Sequence, residues 1–286
     1  LIIDIILVVE EVPWQLQIVK RSLKKKEKLD LIDNHLRVRP GERILDLGCA
    51  QGVLSYFLRK KGGTWVSTDL DLTNLRSSRV LLKDNLVQMG SPSLPFHDGA
   101  FDQAVCLDYL EHVDEDAATL AEIRRVLKPG GRFLLITPHD GGFFLLQKIR
   151  PAVGLKLEFY GHKREGYSLP GLRRLFAAAG LRLTGRATYS RFFTELLELI
   201  LNALYVNFLS TKPQAKLRDG HIRPSTGDEF AAQKKAFGIY KVIYPFLWLA
   251  SRLDTLLFFQ RGYAIMVWGD ADPGIKEASH GHHSGR

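Results

Sequence analysis

Arg43-Ile44-Leu45-Asp46-Leu47-Gly48-Cys49-Ala50-Gln51-Gly52 opens as a short apolar strand, Ile44 to Leu47, and then bends through two glycines. The pattern predicts a helix opening near Val53. A strand that ends in a glycine-rich turn and feeds a helix presents backbone N–H groups to a cofactor. Gly48 and Gly52 lack a Cβ, so φ can be positive and a ligand can approach the main chain closely. Asp46 falls at the carboxyl end of the strand, where open α/β sheets place their ligands. Taken alone, the stretch is also compatible with a tight turn in an unrelated α/β domain.

Downstream, apolar runs and helical patterns alternate. Val53 to Lys61 reads as a helix closed by Gly62, and Thr64 to Thr68 as a second strand ended by Asp69. Asp69 follows Gly52 by 17 residues, near the spacing at which dinucleotide folds set a carboxylate on ribose hydroxyls. Two neighbouring hydroxyls are donors and an ionised carboxylate offers two acceptors. Asp71 is the fallback, and a solvated acid is the plain alternative. Leu75 to Leu82 suggests a helix, and Leu86 to Met89 and Phe101 to Leu107 the third and fourth strands. Asp114 is placed to cap a helix with Leu120, Ile123 and Leu127 on one face. A Lys128-Pro129-Gly130-Gly131 turn leads into a fifth strand, Arg132 to Thr137. Ser168 is placed to cap a helix with Leu172, Leu175, Phe176 and Ala179 on one face, closed by Gly180. Leu181 to Ala187 and Gly262 to Trp268 suit a sixth and a seventh strand. Alternating strands and helices argue for a parallel sheet.

Four ordered elements carry a resemblance: Ile44 to Gly52, Leu94 to Asp102, Leu110-Glu111-His112-Val113 and Leu127-Lys128-Pro129-Gly130-Gly131. Together the chain from 43 to 139 resembles class I S-adenosylmethionine-dependent methyltransferases of the broad small-molecule group. The resemblance implies a Rossmann-like, seven-stranded, mostly parallel sheet with helices on both faces, and S-adenosylmethionine as cofactor. It implies a cofactor site from Asp46, Gly48, Cys49, Ala50, Gly52, Asp69, Leu70, Ser91 and Leu107. The chain departs from the family at two places. Ala50 stands where a third glycine is usual. Gly90 stands where an acidic residue often meets adenine, leaving Ser91 or a backbone carbonyl for that contact. In the family the last two strands form a hairpin; here some seventy residues separate them.

These features divide the chain into an N-terminal helical segment (1–36), a core (37–190 and 261–270), a helical insertion (191–260) and a flexible tail (271–286). Trp14 to Leu36 reads as one helix carrying a basic run, Lys24, Lys25, Lys26 and Lys28, expected as a solvated face or a lipid or phosphate contact. Within the insertion, Phe192 to Leu209 is apolar except for Glu195, Glu198 and Asn202. Pro245 to Phe259 reads as a second apolar helix with Pro245 in its first turn. Lys212, Lys216, Arg218, Arg223, Lys234 and Lys235 lie between. Such a pair suits a lid over an apolar acceptor, a peripheral membrane contact, a homodimer contact, or packing on the core.

The net charge of +9 suggests attraction to anionic surfaces without naming one. Nucleic acid is not expected: an Asn/Asp-Pro-Pro-aromatic element and a cysteine pair for attack on a pyrimidine are missing. Cys49 and Cys106 make no disulfide framework, which points to a cytoplasmic, reducing setting with possible membrane association. The chain opens on Leu1, which suggests a trimmed start. Leu1 to Val9 reads poorly as a signal peptide, and no stretch reaches the roughly 18 apolar residues of a spanning helix. His280, His282 and His283 form a metal-prone tail better read as a disordered end, and no metal site is expected. Candidate bases are Asp108, His112 and His139; His112 is not catalytic in most of the family. The expected acceptor is a small, hydrophobic or lipid-like molecule. A non-catalytic cofactor-binding module is the alternative, and a nicotinamide-dependent oxidoreductase is less favoured, because its fingerprint needs a glycine at position 50.

Overall fold

The computed structural model describes residues 13–141, 144–155, 161–204, 227–232 and 234–272. Leu1 to Val9, the basic residues between 205 and 226, and the histidine tail lie outside them. Seven strands form one sheet: β1 (Arg43–Leu47), β2 (Thr64–Asp69), β3 (Leu86–Gln88), β4 (Phe101–Leu107), β5 (Leu127–Pro138), β6 (Leu181–Tyr189) and β7 (Ala264–Ala271). Their spatial order is β3-β2-β1-β4-β5-β7-β6. The first five pair in parallel, while β7 runs antiparallel to both β5 and β6. The order reverses between β1 and β4, so a crevice opens at their carboxyl ends, the usual ligand position in such sheets.

Alternation along the strands builds two cores. Leu45 and Leu47 of β1, Ala104 and Cys106 of β4, and Phe133 and Leu135 of β5 face one side. There they meet Leu120 and Ile123 of α5 (Asp116–Val126) and Leu172 and Phe176 of α7 (Leu169–Ala178). Ile44, Val105, Leu134 and Ile136 face the other side, against Ile32 of α2 (Leu23–His35) and Leu58 of α3 (Val53–Arg59). Ser168 caps α7, accepting the Gly171 N–H at 3.2 Å. Each fully buried large side chain contributes about 1.5–3 kcal/mol, so both faces hold the sheet.

The remaining helices are α1 (Trp14–Val19), α4 (Leu72–Leu82), α6 (Phe144–Ala152), α8 (Phe192–Leu204), α9 (Gly227–Ala232) and α10 (Lys234–Ser251), with 3₁₀ turns at Leu110–His112 and Arg252–Leu257. Three local expectations change. The single helix over Trp14 to Leu36 is two, because Ser22 turns extended and accepts the Lys25 N–H at 3.3 Å, starting α2 afresh. Asp114 does not cap α5, which begins at Asp116; its carboxylate pairs with Lys163 at 3.2 Å. Pro245 lies inside α10, not at its start; it is exposed, so water can take the carbonyl its missing N–H leaves free.

The polar stripe of α8 points inward. Glu195 is 1% exposed, bonded to the Ser190 hydroxyl at 2.7 Å and paired with Lys24 at 2.6 Å and with Arg150. Exposed apolar side chains lie on α10, on the following 3₁₀ turn and just past it, where Phe246, Phe258 and Phe259 are 72%, 81% and 74% exposed. Among the described residues no helix is long and apolar enough to cross a membrane.

Candidate active site

The crevice at the β1–β4 switch holds a cavity of about 220 Å³ lined by Asp46, Gly48, Cys49, Ala50, Asp69, Leu70, Leu107, Asp108 and His112, together with Lys25, Asn74 and Tyr109. The loop after β1 is pinned from β2: the Gly48 and Cys49 N–H groups both donate to the Thr68 carbonyl, at 2.9 and 2.8 Å. Gly48 and Gly52 take positive φ, +77° and +76°. The space a Cβ would fill is occupied by the protein itself. On Gly48 it would come within 2.6 Å of the Tyr109 ring, and on Gly52 within 2.9 Å of Ser78. The glycines therefore serve the close packing of the loop as much as any ligand approach.

Ala50 also takes a positive φ, +45°, and its N–H donates to Asp69 Oδ2 at 2.8 Å. Asp69 Oδ1 accepts from the Asp71 N–H at 2.9 Å and from Asn74 Nδ2 at 3.2 Å. One carboxylate thus latches the glycine loop to the start of α4 while lining the cavity. Asp71 caps α4 through the Thr73 N–H at 2.7 Å. Burial raises the Asp46 pKa against hydrogen bonds from Ser55 and Ser67, and its Oδ2 is buried with no partner among the described residues. Cys49 and Cys106 are free and buried; burial pushes both thiols up, so neither is a thiolate at neutral pH. Ser91 is exposed and is not among the residues lining the cavity; its hydroxyl bonds that of Tyr109.

Lys25 and Asp108 also line a second cavity, of about 350 Å³. Asp108 holds a positive φ, +50°, a backbone state that is costly outside glycine and concentrates at functional sites. Burial works to raise its pKa, but the Lys28 ammonium bonded to it outweighs burial and holds it low. The second cavity is walled by α2, α6, α8 and the ends of β4 to β7, including Glu111, His139, Arg150, His162, Tyr189, Glu195 and Tyr263. His139 is 2% exposed, and its Nδ1 lies 3.0 Å from the Gly262 carbonyl. A carbonyl only accepts, so Nδ1 carries the proton and Nε2 the lone pair. Burial lowers the His139 pKa, keeping the ring neutral at pH 7.

His112, His139 and Asp108 therefore gather around one junction, although His139 belongs to the second cavity alone. His112 Nδ1 donates to the Gly161 carbonyl at 2.9 Å, and its ring packs edge-on against His162 at 4.8 Å. Burial, with the nearby Asp108 charge, raises Glu111 to about 8. Burial lowers His162 to about 4.

Lys25, Lys28, Glu111 and His162 are site residues that the sequence reading left out. The lysine run was visible, but its inward aim depends on where α2 docks. Glu111 was visible in Leu-Glu-His-Val, next to the histidine that drew attention. His162 carried no local signal, since it meets His112 only through the fold.

Residues 45–135 match a family model described as a methyltransferase domain. The chain is 29% identical over 131 residues to a ubiquinone biosynthesis O-methyltransferase of Paracidovorax citrulli, covering 41% of this chain and 53% of that protein. It is 39% identical over 94 residues to a demethylmenaquinone methyltransferase of Corynebacterium kroppenstedtii, covering 33% and 41%. The chain thus spans about half the length of these relatives. Its fold matches the crystal structure of a putative methyltransferase from Bacillus halodurans with a TM-score of 0.55 at 17% identity, over 86% of this chain and 99% of that one. The likeness over residues 45–135 is thus to a methyltransferase domain, and the strand order and the pinned glycine loop agree with the fold of such domains.

Proposed function

We propose that this protein transfers the methyl group of S-adenosylmethionine to a hydroxyl of a small, largely apolar acceptor. The observation that carries this reading is the junction: a crevice at the cofactor position meets a second cavity at Lys25 and Asp108, beside a neutral, tautomerically fixed imidazole. The relatives' names, a ubiquinone-pathway O-methyltransferase and a menaquinone-pathway methyltransferase, support an apolar ring acceptor.

The crevice residues fit the cofactor. Three carboxylates, Asp46, Asp69 and Asp108, line it, and Asp46 has an acceptor oxygen to fill. Such a lining favours a sulfonium and an ammonium; Lys25 is the cation in place for a carboxylate. The two negative charges of a pyrophosphate would meet repulsion there, which counts against a nicotinamide dinucleotide. When bound, S-adenosylmethionine supplies an electrophilic methyl whose C–S bond breaks with its electron pair left on sulfur. His139 accepts the acceptor's hydroxyl proton at Nε2, and the oxygen so freed takes the methyl. A base of this kind contributes roughly 10²–10⁴ in rate. Alignment across the junction contributes more, roughly 7–11 kcal/mol.

We further read 191–260 as an appendage to the core that binds a membrane surface peripherally. The exposed phenylalanines, on a stretch that also carries Lys241 over the Phe237 ring and Arg252 over the Trp248 ring, support that reading, and a homodimer across the same face is its rival. Calorimetry with S-adenosylmethionine and with a nicotinamide dinucleotide tests the cofactor. Mass spectrometry of hydroxylated aromatic and quinol acceptors tests transfer through a gain of one methyl. Cofactor binding with no methylated product from any such acceptor would favour the non-catalytic module; binding of the dinucleotide alone would favour the oxidoreductase.

A further inference from the structure

The geometry points to a divalent transition-metal site at Glu111, His112 and His162, on the wall shared by the two cavities. One ligand atom from each of the three lies within 4.8 Å of the others. Glu111 and His162 line the second cavity, and His112 lines the crevice. A cation here therefore stands beside the junction.

The surroundings orient His112 and Glu111 as metal sites orient their ligands. The Nδ1–H of His112 is held by the Gly161 carbonyl at 2.9 Å, which aims the lone pair of Nε2 away from that bond. One oxygen of Glu111 accepts the Thr137 hydroxyl at 3.1 Å, leaving lone pairs on the other. Glu111 is 1% exposed, and no ion pair to its carboxylate is present among the described residues. Without a charged partner a buried carboxyl keeps its proton, and a cation binding here would displace it. Bonds of about 2.0–2.2 Å to each ligand require the three atoms to draw closer on binding.

Two imidazoles and one carboxylate select first-row transition metals over magnesium or calcium. Three protein ligands leave coordination positions open to the second cavity. In the methyl-transfer reading, on which this part rests, those positions hold the acceptor's hydroxyl oxygen. The cation then favours its deprotonated form by charge, the proton leaving to His139, and the acceptor is one that binds a metal through oxygen.

The test is a cobalt(II) titration of the full chain, stripped with chelator, with His280, His282 and His283 replaced by alanine so that the tail cannot contribute. Visible absorption bands of coordinated cobalt saturating at one equivalent are expected. His162→Ala and Glu111→Gln should each weaken binding at least 10-fold. Thr137→Val, which removes only an orienting bond, should weaken it about 10-fold. No cobalt bands from the stripped chain, or equal affinity in His162→Ala and Glu111→Gln, would overturn the site. Calorimetry with S-adenosylmethionine on the same samples separates the two readings: cobalt bound without cofactor binding sinks the methyl-transfer reading and leaves the cation site standing, and the reverse outcome sinks the cation site alone.

Discussion

Asp69 has more to do than a ribose contact requires. Its two oxygens hold the Ala50 N–H, the Asp71 N–H and the Asn74 amide, so the carboxylate shapes the loop that would receive the cofactor. Asp69→Ala should therefore weaken S-adenosylmethionine binding by about 1.5–3 kcal/mol, the scale of hydrogen bonds to a charged group, and lower the thermal midpoint as well. Calorimetry and a melting curve read the two effects separately; an unchanged affinity would move the ribose contact to another group. His139 sets the pH behaviour. Its pKa lies below the ordinary 6.5 because burial disfavours the charged ring. As pH falls through that value the base is lost, so kcat/KM should fall on an acid limb centred below about pH 6.5. His139→Gln should remove that limb and cost roughly 10²–10⁴ in kcat. A limb that survives the substitution would assign the proton to another group.

At the scale of elements, the site is walled by helices remote from one another in sequence. Glu27 of α2 accepts the Ser190 N–H at 2.8 Å and the Thr194 hydroxyl at 3.0 Å. Lys24 pairs with Glu195, and Lys28 with Asp108. The start of α8 is capped from sixty residues away: Asp254 accepts the N–H groups of Arg191, Phe193 and Thr194 at 3.2, 2.7 and 3.1 Å. A carboxylate on the free N–H groups of a helix start satisfies donors that have no intrahelical partner. Asp254→Ala should cost about 1.5–3 kcal/mol of stability, read as a shift of the denaturation midpoint, while cofactor binding at the β1–β4 crevice changes little. A cost under about 0.5 kcal/mol would show that water replaces the cap.

For the whole molecule, the exposed apolar face of α10 and its 3₁₀ extension is the feature least like an ordinary surface. Contiguous apolar patches mark interaction sites, and aromatic residues beside cations suit a lipid interface. Flotation with anionic vesicles should carry the full chain upward. Replacing Phe246, Phe258 and Phe259 with serine should abolish flotation without changing cofactor affinity. Flotation unaffected by the substitutions would reject a membrane role for this face, and a loss of sedimentation mass in the variant would assign the face to a dimer.

Local chemistry along the chain was enough to determine the sheet. The near-continuous apolar runs of Ile44 to Leu47 and Phe101 to Leu107, glycines at sharp bends, and Ser168 at a helix start all act within a few residues, so they are legible in sequence. The same holds for the crevice residues, because Asp46, the glycine loop and Asp69 lie at the ends of apolar runs that mark their strands. Only the tertiary structure decided that Lys24, Lys25 and Lys28 of α2 face inward, that the polar stripe of α8 meets them, and that His162 stands beside His112. Those pairings join residues from fifty to more than a hundred and seventy positions apart. Nothing in the local pattern distinguishes a buried charged stripe from a solvated one; docking of the opposite charge does, because a buried ion needs its partner.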